Sequence, residues 1–467
     1  MKKTVISLLL LLSFALSQAN VQLPAIIGSN MVLQQQSSFK LWGWGNPLEK
    51  VFVTTSWDNK TDSTIVAPDA NWKVNIQTPS AGGPYSITIR GTNTIILDNV
   101  LIGEVWVCSG QSNMEMSYGW GLPQMKEDLP TAANSNIRLF TVGKASADYP
   151  QIDCKGQWNM CDSNTVKAFS AAAYYFGRKL NKNLNIPIGL INTSWGATPA
   201  EVWTPDNLVD NDPVLKQAAG QIKPNPYCPI KPGCVYNTMI APFIGFPVAG
   251  AIWYQGESNT GTAATYRQLL TTMISAWRKA WNKDLPFYLV QIAPFSYGKN
   301  YIGAALQEQQ TQVMQFHNAG MVVTNDLVTD TTDIHPKDKR DVGYRLANWA
   351  LAETYHQPNI IYKSPQYKSM EVKDGKAILS FDNVPKGLVI KGKTVAAIFV
   401  AGDDEVFYPA DATIDHNKLV VWSAQVKQPI AVRYAFTNSG IGNLASTEGL
   451  PVIPFRTDEW VLDAPNP

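Results

Sequence analysis

Hydrophobic and polar residues alternate in short runs near the start of the chain: FKLWGWG, KVFVTTSW, WKVNIQT, YSITIRG and TIILDNV, separated by Asn, Gly, Pro and Asp. Alternation with period two, interrupted by turn residues, predicts antiparallel strands with one buried face, and so a small β-sandwich over residues 20–100. A comparable stretch closes the chain, with AILSFD, GLVIKG, AAIFVAG, LVVWSA and IAVRYAF. It predicts a β-rich region over residues 361–467 that either stands as a third domain or completes the first sandwich.

Between these ends, over residues 101–360, the period changes. The apolar runs VWVCS, IPIGLIN, VAGAIWYQ, LPFYLVQIA and GMVVTND have no polar face, and they alternate with helix-like stretches such as FSAAAYYFGRKLNK and TYRQLLTTMISAWRKAW. Strands apolar on both faces and joined by helices predict a parallel sheet covered on two sides. The expected fold is therefore α/β: a three-layer α/β/α domain with a parallel sheet, flanked by N- and C-terminal β-rich segments.

Composition narrows the picture. Lys2 and Lys3 precede an almost wholly apolar run, Val5 to Leu16, and then Ser17, Gln18 and Ala19, which reads as a signal peptide over residues 1–19. An exported protein, periplasmic or secreted, with no membrane span is expected. The net charge of +1 leaves no basic surplus for phosphates, so nucleic acid is a poor candidate partner. In an oxidising compartment the five cysteines suggest two short-loop disulfides, Cys154 with Cys161 and Cys228 with Cys234, with Cys108 as a buried free thiol.

Ligands of open parallel sheets bind beyond the carboxyl ends of the strands, and polar clusters follow four of the predicted strands: SGQSN, NTSWGATPAEVW, QGESN and DLVTDTTDIHP. Ser112 falls where a strand turns into a helix. That placement suits a nucleophile, because the helix N-terminus offers unpaired N–H groups to a developing oxyanion, but it also suits a helix cap. Of the four histidines, His335 alone sits in a loop after the last parallel strand, with Asp333 two positions before it. A histidine beside a carboxylate at that end of the sheet is a candidate general base.

The blocks SGQSNM, SWGATPAEVW, WYQGESN and DIHPKD resemble those of the SGNH (GDSL-like) hydrolases, in the version seen in sialate O-acetylesterases and related carbohydrate acetylesterases; NMVLQ, VYNTMIAPF and NLASTEGLPVIPFRTD extend the resemblance over most of the chain. It implies Ser112 as nucleophile, His335 as base, and an oxyanion hole made by Ser112, Gly196 and Asn259. Many relatives place the orienting acid three residues before the histidine, where this chain has Thr332. Asp333 is the expected third member, with Asp330 as its neighbour and Glu257 as a further candidate for positioning or sugar binding. Gln111, Trp195 and Gln255 are candidates for substrate contact.

The resemblance implies a serine esterase that removes O-acetyl groups from a sugar, a sialic acid or alternatively xylan or another glycan, with no metal and no cofactor. A non-catalytic carbohydrate-binding protein is the rival from another class, and it predicts a broken constellation.

Overall fold

The computed structural model describes residues 20–298 and 301–462; the signal-peptide segment lies outside the described residues. At the centre is a sheet in the order Ala319–Val322, Phe287–Val290, Gly250–Tyr254, Thr94–Gly110, Ile188–Ser194, Asn134–Thr141 and Trp158–Cys161. All neighbours are parallel except the last pair. Side chains alternate between two cores. Val105 and Val107 join the helices Tyr266–Trp281 and Ile302–Val313 on one face, while Trp106 and Cys108 join Ala171–Leu184 and Lys339–Trp349 on the other. This is the α/β/α arrangement with a parallel sheet and an antiparallel edge.

Asn134–Thr141 and Trp158–Cys161 escape a hydropathy reading. Arg138 interrupts the first, yet it is 1 % exposed, because its guanidinium donates to the Ser135 carbonyl and, at 3.2 Å, to Asn99 Oδ1. Partners for its donors let a charged residue occupy an interior strand.

The N-terminal β-rich segment is not separate from this sheet. Thr94–Gly110 is one continuous strand that pairs first with Gly82–Arg90 and Val32–Gln34 and then enters the central sheet. Its path carries the sandwich directly into the turn that bears Ser112. The C-terminal strands pair only among themselves and enclose their own core around Leu379, Val400, Val421 and Val432. They do not complete the N-terminal sandwich.

The expected disulfides do not form: all five cysteines are free. Cys154 packs against one core and Cys161 lies in the other. Cys228 directs its thiol to the Ala197 carbonyl at 3.1 Å. Among the described residues no helix is long and apolar enough to cross a membrane.

Candidate active site

Register brings the first three polar clusters together. Ser109 lies beside Thr193 on one side and Trp253 on the other, and Gly110 lies beside Ser194 and Tyr254, so these strands end at one level. Gly110 takes φ +140°, and a Cβ there would run into the Tyr254 carbonyl, so glycine is required where the strand breaks. The short helix Ser112–Glu115 follows at once. Ser112 is 8 % exposed, and as the first helical residue its N–H has no acceptor within the helix.

The fourth cluster must cross the sheet to reach Ser112, since the strand before it, Ala319–Val322, is at the sheet's edge. Asn113 holds it there, donating through Nδ2 to the Ile334 carbonyl at 3.1 Å. His335 Nε2 then lies 3.0 Å from Ser112 Oγ. On the far side of the ring, Nδ1 is 3.4 Å from Asp333 Oδ1, an oxygen that also accepts the His335 backbone N–H at 2.9 Å. Lys337 pairs with the other Asp333 oxygen at 3.0 Å. Asp330 is turned to Thr332, whose N–H and hydroxyl it accepts at 2.8 and 2.7 Å.

A carboxylate beside the ring would be expected to raise the histidine. The net effect is the opposite: burial lowers His335, Asp333 pulls it up, and Lys339 and Lys337 add to the fall, leaving it below its ordinary 6.5. Burial alone would raise Asp333, but the Lys337 ammonium and the His335 N–H outweigh it and hold the carboxyl below its usual range. The site therefore pairs a neutral imidazole with an ionised carboxylate at neutral pH. A serine, a neutral imidazole and a carboxylate in this order can carry out acyl transfer.

Residues 102–352 match the family described as carbohydrate esterase, sialic acid-specific acetylesterase. Human sialate O-acetylesterase is 31 % identical over 396 residues, covering 76 % of this chain and 75 % of that protein. The mouse sialate O-acetylesterase is 27 % identical over 480 residues, with 88 % of each covered. The crystal structure of a carbohydrate acetylesterase from Xanthomonas citri superposes with a TM-score of 0.86 at 33 % identity, over 94 % of this chain and 100 % of that one. The chain belongs to this esterase family. It is a carboxylic ester hydrolase, with the fold expected of the SGNH type.

In the esterase, Gly196 does lie against Ser112: a Cβ built on it would be 3.5 Å from Ser112 Cβ. Its N–H, however, donates to Glu115 Oε2 at 2.6 Å, and Lys144 holds the other oxygen of that carboxylate at 2.6 Å. The donor expected to serve an oxyanion is already bound to an anionic oxygen of the chain itself. Asn259 is bound within the chain as well. Its Nδ2 donates to Glu201 at 2.9 and 3.2 Å, its Oδ1 accepts from Gln255 Nε2 and the Ala200 N–H, and it is 1 % exposed. The amide links the third block to the second through Ala200 and Glu201.

Gln255 is also interior, donating to the Thr198 carbonyl at 3.2 Å. Gln111 directs its amide oxygen to the Gly256 and Ser258 N–H groups, each at 3.3 Å, and so links the first and third blocks. Trp195 is half-buried, its Nε1 anchored on the Tyr227 carbonyl at 3.0 Å.

Glu257 is buried. It accepts from Asn113 Nδ2 at 2.6 Å, while Lys339 Nζ donates to Asn113 Oδ1 at 2.6 Å. Burial pushes the Glu257 carboxyl up and the Lys339 ammonium down to about 7. Sequence reasoning passed over Asn113 and Lys339. Lys339 sits in KDKRD, which reads as a solvated helix start; its four-residue spacing from His335 was the only signal that it faces the same loop. Trp120, also passed over, places its ring 5.3 Å from that of His335, with no mark in the sequence beyond its loop setting.

Proposed function

We propose that the esterase removes O-acetyl groups from an acetylated sugar by a serine acyl-enzyme route. The observation that carries this reading is the 3.0 Å approach of His335 Nε2 to Ser112 Oγ at the carboxyl end of a parallel sheet. Ser112 attacks the acetyl carbonyl as the neutral imidazole takes its proton. The tetrahedral oxyanion is met by the Ser112 N–H and, once Glu115 has moved aside, by that of Gly196. Collapse expels the sugar hydroxyl, which takes the proton back from His335. Water activated by His335 then releases acetate and frees Ser112. Asp333 keeps the Nδ1 proton on the far side of the ring and steadies the imidazolium, which is the part an orienting carboxylate plays in a triad.

The sialate O-acetylesterases among its relatives favour a sialic acid as the sugar, and the residues preceding Asn20 favour action outside the cytoplasm. Quantifying the acetate and deacetylated sugar released from O-acetylated sialosides beside acetylated xylan tests the choice. Preference for the sialosides supports it; turnover confined to xylan replaces it with a plant-glycan esterase.

A further inference from the structure

Two tryptophans lie near Ser112, Trp120 beside His335 and Trp195 next to Gly196 in the chain. Trp120 lies on the short turn Tyr118–Trp120 and reaches the His335 ring, which it meets at 63°, so His335 covers an edge contact and leaves the indole 42 % exposed. Trp195 immediately precedes Gly196, the residue packed against Ser112. Its indole is held from behind by Tyr227 and sits 5.9 Å from Lys144 Nζ. Two residues after Trp195, Ala197 lines a cavity of about 270 Å³ together with Pro199, Lys223, Asn225, Ile230 and Ser258. The Trp195–Tyr227 bond ties the loop carrying Asn225 and Ile230 to the nucleophile's neighbourhood.

Resting on the esterase reading above, we propose that Trp120 and Trp195 are sugar platforms near Ser112, and that the substrate is an acetyl ester borne on an oligosaccharide, not on a single sugar. The faces of a pyranose carry rows of C–H groups with partial positive charge, which match the negative face of an indole, while the hydroxyls at the ring edge seek polar partners. An aromatic platform beside a few hydrogen-bonding groups is the usual make-up of a small-molecule subsite, and the cavity supplies that set in Lys223, Asn225 and Ser258. A lone acetylated sugar seated over Ser112 would engage one platform. A second ring engages the other, so each added ring raises affinity until both are filled.

Binding can be separated from chemistry in the Ser112→Ala protein. Calorimetric titration with O-acetylated xylo-oligosaccharides and O-acetylated sialyl-oligosaccharides of increasing length should show, in at least one series, affinity rising from one sugar to two or more. Adding Trp120→Ala or Trp195→Ala to that protein should weaken the oligosaccharide about tenfold, the scale of a lost ring contact, and Trp120→Phe should recover most of the loss. With Ser112 restored, the loss in kcat/KM on the oligosaccharide should arise through KM and exceed the loss on p-nitrophenyl acetate. Equal affinity for the acetylated monosaccharide and its oligomers, or equal losses on both esters, would overturn the proposal; the latter would make Trp120 a support for His335. Failure of the esterase reading looks different: glycan binding would persist while the unsubstituted protein released no acetate.

Discussion

Glu115 and Gly196 are bound to one another beside Ser112: the Gly196 N–H donates to Glu115 Oε2 at 2.6 Å, and a Cβ on Gly196 would lie 3.5 Å from that of Ser112. A carboxylate oxygen on this donor competes with the oxyanion that forms on the substrate. Gly196 can serve catalysis only when Glu115 swings away, with Lys144 as its partner on the solvent side.

Removing the competitor should therefore speed the reaction. Glu115→Ala is expected to raise kcat/KM for p-nitrophenyl acetate severalfold, since the N–H is left open to the oxyanion. A fall in kcat/KM would show instead that Glu115 braces the Gly196 turn and that the oxyanion is met elsewhere.

Lys339 and Asn113 set the approach of His335 from behind. Lys339→Met frees Asn113 Oδ1 and loosens the hold of Asn113 on the Ile334 carbonyl, so His335 drifts from Ser112. Kcat should drop about 10-fold to 100-fold, the scale of a small misplacement, with KM little altered. A KM effect alone would place Lys339 in substrate binding.

The same lysine leaves a mark on stability. Its folded value is about 7, below its ordinary 10.5, because burial disfavours the charge. Between those values the unfolded chain binds the proton and the folded chain does not, so stability rises with pH across that window, by at most about 1.4 kcal/mol per pH unit for one proton. Urea midpoints for wild type minus Lys339→Met should climb from pH 7 towards 10.5. A difference independent of pH would mean that Lys339 stays charged in the fold.

The rate should rise with pH through a midpoint below 6.5, because only the neutral imidazole accepts the Ser112 proton and His335 is lowered from that value. Asp333→Asn withdraws the influence that raises His335, so the midpoint should fall further. It should also favour the wrong tautomer and cost on the order of 100-fold to 10⁴-fold in kcat. Asp330→Asn, turned away on Thr332, should stay close to wild type. A negligible Asp333→Asn effect would point to a Ser–His dyad oriented by the backbone, whereas a wild-type midpoint above 6.5 would mean that Asp333 outweighs burial at His335.

Strand ends and cluster order were legible in the chain because period and turn chemistry are local properties, and they placed Ser112, Gly196 and His335 at one end of the sheet. Direction was not legible. The position of Asn259 in QGESN says nothing of where its amide points, and only the fold turns it onto Glu201. Cys154 and Cys161 are near in sequence, but they pack in different cores. Arg138 hid a strand because its partners, Ser135 and Asn99, come together only after folding. The fall in His335 has the same origin: the neighbouring Asp333 is visible in sequence, whereas burial and the approach of Lys339 are not.

Acetate release by Ser112→Ala, measured on an O-acetylated oligosaccharide with the fold checked by circular dichroism, tests the central claim most directly. Ser112 is buried at a helix start, and the substitution removes only its hydroxyl oxygen, so the proposed nucleophile is lost with little change in packing. A folded protein whose turnover has fallen by several orders of magnitude, on the scale of about 10⁶ reported by nucleophile deletions, is the predicted result. A folded variant that keeps turnover within about tenfold of wild type would contradict an acyl-enzyme on Ser112.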